Sequence, residues 1–94
     1  MDLTQLNRTC ETVIKDAEET FFIHINNPLW DLTDNIIKVE IQTLKETVSQ
    51  KVYGKMMHAN NLSDAQFVYM RKVKNDYLRK SLYKCMDYAQ AVKG

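Results

Sequence analysis

Two glycines and one proline are the only strong breakers in 94 residues. A β fold needs a turn every ~8–12 residues, and most such turns use glycine or proline. So few breakers leave helices as the regular structure able to use such long uninterrupted stretches. Composition agrees: 45% hydrophobic and 27% charged residues are ordinary for a globular protein and argue against disorder. At this length the chain reads as a single domain over residues 1–94, large enough to bury a core but a modest one.

Apolar spacing divides the chain into three helical segments, expected over about residues 2–26, 28–59 and 64–91. In the first, Leu3, Leu6, Cys10, Val13, Ile14, Ala17, Phe21 and Ile25 form one stripe at about 100° per residue. Arg8, Glu11, Lys15, Asp16, Glu18 and Glu19 fall outside it. Phe22 and Ile23 point away from the stripe, while His24 lies on it. Asn26-Asn27-Pro28 then punctuates, since asparagine ends and caps helices and proline suits a first helical position. The second helix is therefore placed from Asn27 or Pro28, with Asp31 to Thr33 as the fallback start. Its stripe is Trp30, Ile37, Ile41, Leu44, Val48, Val52 and Ala59, and Gly54 within it marks a bend or a close helix approach. The third start is the best specified. Ser63 and Gln66 make a capping box, with Leu62 and Phe67 at the staple positions around it. Phe67, Met70, Tyr77, Leu78, Cys85, Tyr88, Ala89 and Val92 follow as the inner stripe, interrupted by Lys74 and Ser81.

Short connections make neighbouring helices antiparallel, so the expected fold is all-α, three long helices in an antiparallel up-down bundle. In that arrangement Cys10 and Cys85 stand more than ~10 Å apart along the axis, beyond the ~7 Å a disulfide can bridge. Free thiols in a reducing, cytoplasmic setting are expected, because the opening residues lack a basic and then apolar leader. No apolar run approaches the ~20 residues of a membrane span.

Charge is lopsided. Residues 1–47 hold four Lys/Arg against nine Asp/Glu, and residues 48–94 hold nine against three, within a net charge of +1. Two halves attracting each other, across the bundle or across a dimer, account for this more simply than a basic binding surface.

Chemistry-bearing patterns are sparse. His24 and His58 are the only histidines, with no His-x-x-x-His or Glu-x-x-His spacing for a metal, so no metal or cofactor is expected. Both cysteines fall on inner stripes, where thiols are packing groups. Lys55 and Lys74 intrude into inner stripes and define the third-ranked reading, a small helical enzyme with an interior lysine pocket; snorkelling of both ammonium groups is the simpler account. Lys72, Arg79 and Lys80 with Tyr69 and Tyr83 mix cations and aromatics on helix 3, the alternative reading of a nucleic-acid-associated regulator. Asp76 and Asp87 interrupt that face.

The reading best matched to the residues is a non-catalytic protein–protein interaction module that homodimerises or binds and regulates a larger protein. Phe22, Ile23, Leu32, Ile36 and Val39 fall outside the intrachain stripes near the first turn and form a candidate interface. Alternatively, Phe22 and Ile23 fold back to cover Ile36 themselves. Tyr69, Arg79 and Tyr83 form a second candidate surface, of residue types common at interaction hot spots.

Overall fold

A computed structural model describes residues 3–29, 31–58 and 62–94. Three helices account for nearly all of it: α1 (Leu3–Ile25), α2 (Asp34–His58) and α3 (Asp64–Lys93). Each packs on both others in an up-down-up bundle measuring 47 × 19 × 18 Å. Among the described residues there is no strand, and no helix is long and apolar enough to cross a membrane.

The core follows the apolar stripes. Leu6, Cys10, Val13, Ile14, Ala17, Phe21 and Ile25 of α1 are buried against Ile37, Leu44, Val48, Val52 and Met56 of α2. Met70, Leu78, Cys85 and Ala89 of α3 complete it. On α2 the stripe runs in fours from Leu44 through Val48 and Val52 to Met56. Trp30 and Ala59, assigned to the same stripe, lie outside the described residues. On α3, Tyr88 and Val92 stand 38% and 43% exposed, at the edge of the core rather than inside it.

The beginning of α2 corrects the expected boundary. The helix begins at Asp34, not at Pro28. Asn27 Oδ1 accepts a hydrogen bond from the Leu29 N–H at 3.0 Å, an Asx turn that spends the asparagine on a loop. Thr33 caps instead: its hydroxyl accepts from the Ile36 N–H at 3.3 Å and its carbonyl from the Ile37 N–H at 3.0 Å. The α3 start is the expected capping box. Ser63 Oγ accepts from the Gln66 N–H at 3.2 Å, and Gln66 Oε1 accepts from the Ser63 N–H at 2.8 Å. At the other end of α3 the Gly94 N–H donates to the Gln90 carbonyl at φ +78°, a left-handed cap that glycine tolerates best.

Gly54 marks no close helix approach. A Cβ built there meets nothing within 4 Å, and α2 continues through it. Cys10 and Cys85 are both free and buried. Cys10 Sγ lies 3.8 Å from Met70 Sδ, fifteen α3 positions from Cys85, or about 22 Å along the helix.

Candidate functional site

The three seams between helices differ, and that difference defines the surface. Along α1/α3 the parallel helices are joined by polar side chains from end to end. Tyr69 reaches Asn7 Oδ1 at 3.4 Å and Tyr77 donates to Glu11 Oε1 at 3.1 Å. Ser81 and Lys84 both donate to Glu18, at 2.7 and 2.9 Å. The Tyr88 hydroxyl and the Asn26 amide exchange hydrogen bonds at 3.0 and 2.7 Å. The hydrogen bond that Lys84 donates to Glu18 raises the Lys84 pKa, and the one that Tyr77 donates to Glu11 raises the pKa of Tyr77. Between α1 and α2, His24 Nδ1 lies 3.0 Å from Glu40 Oε2. Lys93 at the end of α3 bonds Asp34 at the start of α2, which lowers the Asp34 pKa. The lopsided charge is therefore partly consumed inside the bundle, by Glu18 with Lys84 and Asp34 with Lys93.

Among the described residues, polar side chains bridge the α2/α3 seam at its Asp34–Lys93 end but not along the rest of its length. Two shallow grooves run in line along it. One is bounded by Ile41, Lys45, Arg79, Leu82, Tyr83 and Met86, and the other by Ser49, Tyr53, Met56, Phe67, Arg71 and Lys74. From Phe67 to Met86 they span roughly 28 Å of α3 at 1.5 Å per residue. The floor is apolar: Val52, Met56 and Leu78 are buried, and Ile41, Phe67, Leu82 and Met86 are half-buried against the core. The rims are cationic. Lys45, Arg71, Lys74 and Arg79 line the grooves, and among the described residues no Asp or Glu does. Arg79 alone of the four has an ion pair among the described residues, to Asp76 one turn away at 3.7 Å and well exposed.

The residues expected to form interfaces are distributed unevenly. Phe22 is not left over from the core. It is half-buried, its ring edge-on to Tyr88 at 4.7 Å and to Phe21 at 5.9 Å, with the Lys84 ammonium 5.8 Å from its centre. Leu32 also packs on the core. Ile23 is 71% exposed and does not fold back over Ile36. Ile36 and Val39, the latter 62% exposed, share a shallow groove with Leu29 at the start of α2. Of the helix 3 set, Arg79 and Tyr83 meet in the α2/α3 groove, whereas Tyr69 belongs to the α1 seam through Asn7. Lys74 is half-buried on the groove rim but Lys55 is exposed and does not join it, so the two lysines form no shared interior pocket.

Sequence reasoning missed Leu29, Leu82 and Met86. Leu78, Leu82 and Met86 recur every four residues, a second apolar line beside the inner stripe of α3 that could have been read. Leu29 had no such signal. Among the described residues no group of three His, Cys, Asp or Glu side chains could hold a metal ion. No known protein family, curated protein or solved structure matches the chain.

Proposed function

We propose that the chain is a small non-catalytic module that binds another protein and regulates it by occlusion or scaffolding. The observation supporting this is the contrast between seams: α1/α3 is bridged by side-chain hydrogen bonds and its surface groove is lined by charges of both signs, while α2/α3 leaves an apolar floor open to solvent beside four cations, of which only Arg79 has an ion pair among the described residues. Exposed contiguous apolar surface with a polar rim is the usual composition of a protein interface. Tyr83, 69% exposed, and Arg79 line one of the two grooves and are of the types that dominate binding energy.

Nucleic-acid association is the second reading, favoured by the same four cations beside Tyr53 and Tyr83. The apolar floor argues for protein, because phosphate contacts do not use it. Crosslinked capture with the intact chain and with an Arg79→Ser/Tyr83→Ser variant tests the proposal. A protein captured by the first and lost with the second supports it. Equal capture by both, or capture of nucleic acid alone, overturns it. Light scattering on the purified chain separates a second copy from a different partner.

A further inference from the structure

We infer that the α2/α3 groove receives an acidic amphipathic α-helix from a partner protein, which would complete the bundle as a fourth helix. This rests on the reading of the groove as a protein-binding surface and adds the chemistry of what fills it. Length, floor and rim each bear on the occupant. The two grooves together follow roughly 28 Å of α3, the length of about 19 residues of helix, or five turns. Its floor alternates Met86, Leu82 and Ile41 at one end with Phe67, Met56 and Val52 at the other, so apolar groups at three- and four-residue spacing would fit along it. Lys45 of α2 and Arg79 of α3 flank one half, and Arg71 and Lys74 both border the other on its α3 side, with no lining carboxylate among the described residues. Glutamates or aspartates along the α3-facing border of the incoming apolar stripe, and on the α2-facing border opposite Lys45, would meet them, whereas lysines would be repelled.

A second copy of this chain is the weaker occupant. The outer face of α1 carries Asp16 and Glu19, both exposed, but among its described residues Ile23 is the only large exposed apolar side chain there. Near the start of α2, Leu29, Ile36 and Val39 make an apolar patch beside Asp31 and Glu40, but from Ile36 to Glu40 it offers only about one turn of helix. Charge would match in both cases, and most of the apolar floor would remain uncovered.

The test uses the full chain, labelled with nitrogen-15, and three designed helical 19-mers with the same leucine stripe, flanked by Glu, Gln or Lys. Amide shifts report even weak binding. The expected result is shifts confined to Lys45, Ser49, Arg71, Arg79 and their neighbours with the Glu peptide. Its affinity should be about tenfold above that of the Gln peptide, with none detected for the Lys peptide; several exposed ion pairs together account for a factor of that size. Lys45→Glu with Arg79→Glu leaves only Arg71 and Lys74 to offset the two new carboxylates, so it should abolish the preference for the Glu peptide over the Lys peptide. Lys72→Glu with Lys80→Glu, the same charge change outside the groove, should leave it intact. Equal shifts from all three peptides would overturn the acidic partner while keeping a protein-binding groove. No shift in the groove with any peptide, or shifts there only with a single-stranded oligonucleotide, would overturn both. A self-association abolished by Arg79→Glu would assign the groove to a second copy and overturn the inference.

Discussion

A carboxylate as covered as that of Glu18, 14% exposed, is stable only if its oxygens find donors. Ser81, 4% exposed, takes one oxygen and Lys84 takes the other. Removing the acceptor strands the serine hydroxyl, whereas removing the serine leaves Glu18 with Lys84 and some water. Glu18→Ala should therefore cost about 1–3 kcal/mol and Ser81→Ala about 1 kcal/mol, read from urea unfolding. Because they share one bond, the double variant should cost less than the sum; strict additivity would show that the serine is satisfied elsewhere. The thiols behave oppositely. Burial pushes both Cys10 and Cys85 up to about 11, so at neutral pH each is a protonated packing group. A thiol reagent at pH ~8 should modify neither in the folded chain and both after unfolding. Intact mass without reductant should equal that of the reduced chain, since ~22 Å of helix separates them.

At the scale of elements, local signals were legible wherever the deciding atoms lie close in sequence. The Ser63–Gln66 box needs only four residues, and it formed as read. The start of α2 was not legible because two candidate caps compete over seven residues. Asn27 and Thr33 both supply an acceptor, and which one opens the helix depends on how Leu32 reaches the core. Thr33→Ala discriminates the two starts. With the helix opening at Asp34 it should destabilise by about 1 kcal/mol in thermal or urea unfolding; inside a helix running from Pro28 the same change would be neutral or stabilising. Phe22 was misassigned for a geometrical reason. A single stripe describes a helix with one neighbour, but each helix here has two, which widens the buried arc so that Phe22 lies against α3 while His24 turns to α2. Gly54 has open space where a methyl would sit, so Gly54→Ala should stabilise α2 by about 0.5–1 kcal/mol.

For the whole molecule, the polar links between helices tie stability to pH from both sides. Asp34 has a lowered pKa through Lys93, so its contribution is present above the unfolded value and is lost as pH falls through the folded one. Lys84 and Tyr77 have raised pKa values through Glu18 and Glu11. Their contributions are complete below the unfolded values of 10.5 and 10.0 and are lost as pH rises through the folded ones. Thermal melts should give a plateau around neutral pH with a decline on either side. Glu11→Gln with Glu18→Gln should lower the plateau and shrink the alkaline decline; an unchanged alkaline limb would show that Tyr77 and Lys84 do not carry it. The grooves on the α2/α3 seam were only half legible, because their apolar line is visible in α3 but the absence of carboxylates opposite it emerges only when α2 is laid alongside.

The parallel course of α1 and α3 has a mechanical consequence. The first residue of α1 and the last of α3 sit at opposite ends of the 47 Å axis, since Asn7 meets Tyr69 at one end and Lys93 meets Asp34 at the other. Tension between those two points slides the rods lengthwise past each other. The links at Asn7, Glu11, Glu18 and Asn26 then share the load and yield together. A pull that peeled the same helices apart sideways would meet those links one at a time, at a lower force.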